Sequence, residues 1–203
     1  MTKNLRPDLQ VIADLVPANS TLLDIGCGDG ELLAWLAEHK GVDGRGIEID
    51  PHNVSVAMAR GVPVIQADVN NDLADYPTAL YDVVILSQAL QAMQDPKAVL
   101  EQLLRIGNQA IVSVPNFGFW RNRFYLAVKG KMPVTQTLAY QWYDTPNIHF
   151  CTITDFVELC EQMGIVIQRR IFVNDRGSPS GFHGKGFFAN LFGEQGIFVL
   201  GQK

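Results

Sequence analysis

The chain has 203 residues, 47% of them apolar and 18% charged, which is enough for a folded domain with its own hydrophobic core. The formal net charge of −5 argues against nucleic acid and anionic membranes as partners. The stretch MTKNLRPDLQVIADLVP lacks the apolar core of a secretory signal, and no apolar run reaches the roughly 18 residues of a membrane span, so we expect a cytoplasmic protein.

Strand-like and helix-like segments alternate from the N-terminus to Pro115. Strands are predicted at STLLDIG, GRGIEID, VPVIQAD, YDVVILS and QAIVSV. Helices are predicted at ELLAWLAEH and at two segments that open on Asp50-Pro51 and Asp95-Pro96, which match an N-cap followed by proline at the first helical position. Because parallel strands need crossover helices, this order predicts a parallel sheet.

The alternation breaks at about residues 116–147, an aromatic and basic stretch that we interpret as an insertion after the fifth strand. It resumes with the helix TITDFVELCEQMG, for which Thr154 is the expected N-cap and Gly164 the stop, and with the strands IVIQRRIFV and QGIFVLGQ. The glycine-rich loop from Asn174 to Gly186 between those strands is either a flap over a site or an exposed connection. We therefore predict an α/β fold, a doubly wound and mostly parallel seven-stranded sheet with helices on both faces, in a single domain over residues 1–203.

Three cysteines, Cys27, Cys151 and Cys160, lie far apart without a Cys-x-x-Cys pair. This spacing favours neither a disulfide framework nor a zinc site, and we expect buried thiols and no metal.

The stretch LLDIGCGDG places Gly26, Gly28 and Gly30 directly after the first strand. Ligands of such sheets bind at the carboxyl ends of the strands, and glycines there let a ligand press against the backbone near the N–H groups of the following helix. Glu48 ends the second strand 18 positions after Gly30, close to the roughly 20-residue offset of a carboxylate that binds a ribose diol. These residues predict a small nucleoside ligand with an anionic or zwitterionic group.

The stretches LLDIGCGDGELL, GIEID, VIQADV and YDVVILSQAL resemble the successive cofactor motifs of class I S-adenosylmethionine-dependent methyltransferases, over residues 20 to about 114. The resemblance implies S-adenosylmethionine or S-adenosylhomocysteine as the ligand. It assigns the amino-acid end to Gly26, Cys27 and Gly28, the ribose to Glu48, the adenine faces to Ile49 and Val69, the adenine amine to Asp68, and the methionine side to Ser87 and Gln88. Asp24 and Gly30 complete the predicted cofactor site.

Simpler roles stand beside these assignments. A glycine turn after a strand is often only a tight turn, Asp24 could hold that turn through loop amides, and Asp68 could cap the segment that follows it.

Across most of the chain the sequence resembles the methionine biosynthesis protein MetW family, through LRPDLQVIADLVPANSTLLDIGCGDGELL, LSQALQAMQDP, VSVPNFGFWRNR and HFCTITDF. That resemblance implies a protein with a methyltransferase-type fold that supports homoserine O-acyltransferase in methionine synthesis. It implies no methyl acceptor. It carries over least after about Arg170.

Several functional hypotheses follow. In the first, an auxiliary protein uses the aromatic and basic residues of the insertion to bind the acyltransferase, unless these aromatics form a lid or a satellite core. In the second, the chain is an active methyltransferase on a small-molecule acceptor; His149, Tyr140 and Tyr143 are then candidate bases, and no catalytic residue is assigned. In the third, the auxiliary protein binds the cofactor, which is made from methionine, and thereby signals to the acyltransferase that methionine is sufficient. A nucleic-acid methyltransferase, suggested by FWRNRFYLAVKGK, conflicts with the acidic balance.

Overall fold

Seven strands form one sheet in the computed structural model, which describes residues 5–135, 138–174 and 186–202. The strands are β1 Thr21–Ile25, β2 Asp43–Glu48, β3 Val64–Gln66, β4 Tyr81–Ser87, β5 Gly107–Pro115, β6 Val166–Val173 and β7 Gln195–Gly201. Their order is β3-β2-β1-β4-β5-β7-β6, with β1 to β5 parallel and β7 antiparallel to both β5 and β6. The predicted fold class is confirmed.

The central strands are buried on both faces. In β4, Val83 and Ile85 pack into one apolar cluster, whereas Val84 and Leu86 pack into the other on the opposite face. Successive side chains of a strand point to opposite faces, so two hydrophobic layers explain why these strands are almost uniformly apolar in sequence.

Helices cover both layers. Their bounds are α1 Pro7–Leu15, α2 Glu31–Lys40, α3 Pro51–Ala59, α4 Val69–Asp72, α5 Pro96–Ile106, α6 Trp120–Lys129, α7 Ile153–Gln162 and α8 Phe187–Phe192. Buried residues of α1, α2 and α3 belong to one apolar cluster, and those of α5, α7 and α8 belong to the other. Among the residues described, no helix has the length and hydropathy to cross a bilayer.

Two helix starts follow from aspartate caps before proline. The Asp50 carboxylate accepts a hydrogen bond from the His52 amide at 2.9 Å, and the Asp95 carboxylate accepts from the amides of Lys97 and Ala98 at 3.1 Å. Both caps satisfy amides that lack a partner within the helix, as the sequence predicts.

The predicted cap of α7 is wrong by two residues. Thr152, not Thr154, is the N-cap, because its hydroxyl accepts from the Asp155 amide while the Asp155 carboxylate accepts from the Thr152 amide at 2.8 Å. This reciprocal capping box fixes the start of the helix at Ile153.

Between β5 and α7 the alternation breaks as expected, and the stretch contains the helix α6, which the sequence reading did not assign. The sequence pattern does not predict the helices α1 and α8 either. Most of the glycine-rich loop, residues 175–185 with His183, lies outside the described residues.

The cysteines are free thiols. Cys27 and Cys160 are buried, as predicted, whereas Cys151 is partly exposed. Within the described residues no group of three or more His, Cys, Asp or Glu side chains is arranged to hold a metal ion.

Candidate functional site

A cavity of about 560 Å³ lies where β1, β2 and β4 end. This volume is in the range of small-molecule sites, and the position is the one at which open α/β sheets bind ligands. Six of the ten predicted site residues line it, namely Gly26, Glu48, Ile49, Asp68, Val69 and Ser87, and Gln88 lines it as well.

The carboxylate of Glu48 joins the ends of β1 and β2. Its Oε2 accepts from the Gly28 amide at 2.8 Å, and its Oε1 accepts from the amides of Ile49 and Asp50, both at 2.9 Å. A carboxylate oxygen has about two acceptor sites, so Oε1 is filled and Oε2 retains one. A hydroxyl of a bound ribose is a suitable donor for that remaining site.

The glycine turn needs a left-handed backbone. Gly26, Gly28 and Gly30 have φ values of 71°, 56° and 74°, a region in which a Cβ is unfavourable. The amides of Gly26 and Cys27 donate to the Ile47 carbonyl, which ties the turn to β2. The turn is therefore held rigidly beside the cavity, with Gly26 in its wall.

Asp24 belongs to β1, which leads into this turn, and does not line the cavity. It is 3% exposed, and its Oδ1 has no hydrogen-bond partner among the described residues. Desolvation by burial, and secondarily the charge of Glu48, raise the pKa of Asp24 from 3.8 to about 7. A buried carboxylate oxygen without a donor is costly, so a nearby cationic ligand would stabilise its ionised form.

Gly28, Cys27 and Gly30 also lie outside the wall of the cavity. A Cβ on Gly30 would lie 3.0 Å from the Ala57 Cβ, which indicates that this glycine lets α2 pack on α3. The Cys27 side chain packs against Gly46 of β2, and burial, with the charges of Asp24 and Glu48, raises the pKa of its thiol to about 12. Both positions have a packing role in this arrangement.

Asp68 lines the cavity and also caps the segment that follows it, the simpler role considered from the sequence. Its Oδ1 accepts from the amide and the side chain of Asn70, at 3.0 and 2.9 Å, and its Oδ2 accepts from the Asn71 side chain at 3.1 Å.

The end of β4 is strained where it meets the cavity. Gln88 has a φ of 52°, unusual for a residue with a side chain, and its amide donates to the Ser113 carbonyl and hydroxyl. The Ser87 and Ser113 hydroxyls lie 3.1 Å apart. Backbone strain of this kind clusters at ligand sites.

Arg6 is a cavity residue that the sequence reading did not identify. It precedes α1, and Asp8 of that helix is 3.3 Å from the Arg6 guanidinium and 3.2 Å from the Gln88 side-chain amide. Among the lining residues described, Arg6 is the only Lys or Arg, so it is suited to the carboxylate of an amino-acid ligand.

The segment after α6 forms one wall of the cavity. Tyr140, Pro146 and Asn147 line it together with Gln91, whose carbonyl accepts from the amides of Ile148 and His149. Of the three candidate bases only Tyr140 lines the cavity, whereas His149 and Tyr143 lie outside its wall; the side chains of all three are exposed. Part of the insertion therefore forms a wall of the cavity, although among its described aromatic residues only Tyr140 contributes to that wall.

The other aromatics of the insertion divide into two groups. Phe119 is buried and Phe117 is half-buried against Phe150, with ring centroids 5.3 Å apart. Trp120, Phe124, Tyr125, Trp142 and Tyr143 are exposed.

Comparisons with known proteins show the family and the fold of the chain. The family described as "Methionine biosynthesis protein MetW" matches residues 6–200. A protein of Rhodopirellula baltica named "Bifunctional methionine biosynthesis protein MetXA/MetW" is 33% identical over 177 residues, which are 83% of this chain and 28% of that protein. A 2-methyl-6-phytyl-1,4-hydroquinone methyltransferase of Synechocystis is 30% identical over 75% of this chain and 48% of its own length. The chain thus spans between about a quarter and a half of these curated relatives.

The fold is shared with solved methyltransferases. The crystal structure of a SAM-dependent methyltransferase from Thermotoga maritima superposes with a TM-score of 0.68 at 18% identity, over 97% of this chain and 88% of that one.

Proposed function

Because the chain belongs to the family of methionine biosynthesis proteins called MetW, we propose that it supports homoserine O-acyltransferase and binds S-adenosylmethionine or S-adenosylhomocysteine in the cavity. The observation that supports the partnership is the bifunctional relative, whose name joins a MetW unit to a MetXA unit in one chain. We infer that the MetXA unit is the acyltransferase, and the fusion then supports a role of both units at the same step.

The residues of the cavity fit such a cofactor. Oε2 of Glu48 has an acceptor site for a ribose hydroxyl, and Ile49 and Val69 offer apolar surface to the adenine. At the other end, Gly26 permits close approach of the amino-acid group, Arg6 pairs with its carboxylate, and the orphan Oδ1 of Asp24 favours a cationic group nearby. Of the two ligands, S-adenosylmethionine would supply a sulfonium methyl group when bound.

Two further predicted site residues would act indirectly. Gly28 holds Glu48 through its amide, and Asp68 fixes the start of α4 beside Val69. The cytoplasmic location and the single-domain organisation remain predictions.

A second candidate function is methyl transfer to a small acceptor. It is favoured by the wall formed by Gln91, Tyr140 and Asn147, which encloses polar groups beside the predicted methionine end of the cofactor. Methyl transfer from a sulfonium needs chiefly proximity and orientation, so the absence of an assigned base does not weigh against it.

Acyltransferase turnover tests the first function directly. Purified homoserine O-acyltransferase is assayed with and without this protein, and S-adenosylmethionine is titrated into both reactions. We expect a higher rate with the protein present. An unchanged rate, with no complex detected, would overturn the supporting role and leave methyl transfer as the function to pursue.

A further inference from the structure

Exposed aromatic side chains gather on three elements that follow β5. We call them the aromatic surface: Trp120, Phe124 and Tyr125 of α6, Trp142, Tyr143 and Phe150 of the segment 140–150, and Phe187 and Phe188 of α8. Trp142 is 72% exposed and Phe187 is 66% exposed. Aromatic residues at this density on a surface indicate an interaction site.

The buried side chain of Asn116 joins the elements that carry these rings. Its Nδ2 donates to the carbonyls of Asn190 and Gly193 at the end of α8, and its Oδ1 accepts from the amide of Ile153, where α7 begins. Its backbone carbonyl accepts from the Asn122 side chain of α6. One buried residue thus holds α6 and α8 at the same end of the sheet.

The segment 140–150 reaches the same region. Phe150 packs on Phe117, which lies between Asn116 and α6, and the Phe117 amide donates to the Cys151 carbonyl at 3.0 Å. The three elements that carry the rings therefore meet at Asn116 and Phe117.

This part of the chain is basic. Residues 116–150, which carry α6 and the segment 140–150, contain Arg121, Arg123, Lys129 and Lys131 against a single acidic residue, Asp144, although the whole chain carries a net charge of −5. A closed dimer through this surface would place cations against cations, which opposes self-association. The complementary surface is apolar with an acidic rim.

We propose that the aromatic surface docks homoserine O-acyltransferase, through an apolar patch of that enzyme bordered by carboxylates. The inference rests on the proposed function, and the fused relative supplies the identity of the occupant. Trp120 and Trp142 are the expected anchors, because large aromatic side chains dominate the energetics of interfaces.

Calorimetric titration of the full chain with purified acyltransferase tests the surface. We expect Trp120→Ala, Trp142→Ala and Phe187→Ala each to raise Kd by roughly 30-fold. Lys129→Glu should slow association and reduce the salt dependence of binding. Met58→Ala and Ile65→Ala are the matched controls, because these side chains are 62% and 54% exposed on α3 and β3, and they should leave Kd unchanged.

The outcomes separate this inference from the function on which it rests. If the wild-type chain stimulates the acyltransferase and the three variants bind it as tightly, the surface is wrong and the function stands. If the wild-type chain neither binds nor stimulates, both are wrong. Binding of the wild-type chain to vesicles of anionic phospholipid, lost in the same variants, would assign the surface to a membrane and overturn the inference; concentration-dependent self-association lost in them would assign it to a second copy. Urea unfolding of each variant confirms that it is folded.

Discussion

The amide of Gly28 and the carboxylate of Glu48 form a 2.8 Å hydrogen bond that links the ends of β1 and β2. One interaction therefore helps to set both the shape of the glycine turn and the direction of a carboxylate that lines the cavity. Loss of the carboxylate should therefore lower the stability of the protein and weaken ligand binding at the same time.

Glu48→Gln tests that double role. The substitution removes a charge and leaves only one amide oxygen to accept from the amides of Gly28, Ile49 and Asp50. We expect the free energy of unfolding to fall by about 2 kcal/mol and the Kd for S-adenosylhomocysteine to rise at least about tenfold. Glu38→Gln, an exposed change on α2, is the control. An unchanged Kd in a less stable Glu48→Gln protein would remove the carboxylate from the ribose site.

Arg6 should act on the amino-acid end of the ligand alone. We expect Arg6→Gln to raise the Kd for S-adenosylhomocysteine by about tenfold, because a charged hydrogen bond to the ligand's carboxylate is lost. The same variant should bind 5′-methylthioadenosine, which has no carboxylate, as the wild type does. If calorimetry shows that the Kd rises by the same factor for both ligands, Arg6 supports the shape of the whole cavity and does not bind the carboxylate specifically.

The raised pKa of Asp24 predicts a loss of stability as pH rises. Between its ordinary pKa of 3.8 and its native pKa of about 7, the unfolded chain has released the proton while the folded chain retains it. The free energy of unfolding therefore falls progressively as the pH rises through that window, in total by about 4 kcal/mol once the pH exceeds 7. Asp24→Asn cannot ionise and should escape this loss.

Urea unfolding of the ligand-free protein measures the effect at about pH 5 and about pH 8. The stability of Asp24→Asn relative to the wild type should be higher at the upper pH than at the lower one. A difference that is the same at both pH values would contradict the raised pKa.

Gly30 and Gly28 should respond differently to alanine. Both have positive φ, but a Cβ on Gly30 would meet Ala57 and Val62 at 3.0 and 3.1 Å, whereas a Cβ on Gly28 meets nothing within 4 Å. Gly28→Ala should cost about 1 kcal/mol from backbone strain alone, and Gly30→Ala should cost more. Thermal or urea unfolding measures the loss of stability in each variant. Equal losses would contradict the inference that a side chain at Gly30 clashes with α3.

The segment 140–150 has one side in the cavity and another on the aromatic surface. Tyr140 and Asn147 line the cavity, whereas Trp142 and Phe150 are exposed. A ligand that orders this segment should favour docking, so we expect the acyltransferase to tighten S-adenosylmethionine binding by at least about fivefold. Linkage requires the same factor for the reverse effect. Equal cofactor affinities with and without the acyltransferase would exclude a sensor.

The sequence predicted those features that depend on local chemistry. Asp50 and Asp95 are recognisable because a cap followed by proline encodes a helix start within a few residues, and β1 to β5 follow from apolar runs that end in turns. The apolar pattern alone does not separate Thr152 from Thr154, because both precede it. The capping box does, since an acidic residue, Asp155, lies three residues after Thr152 and none lies three residues after Thr154.

The missed features depend on contacts between distant residues. Arg6 reaches the cavity only because α1 packs on the sheet through Leu9 and Ile12, and no local pattern reports where that packing places its neighbour. The helix α6 begins without a side-chain cap and with no acidic residue in its first turn, so it lacks the usual marks of a helix start.

The position of β7 affects how the sheet is completed during folding. β6 precedes β7 in the chain, but among the described residues it pairs with β7 alone, which lies between it and β5. Until β7 has docked, β5 keeps an open edge and β6 has no neighbour in the sheet. Both strand edges can then pair with other molecules, so the insertion of β7 is the step that protects this side of the sheet from aggregation.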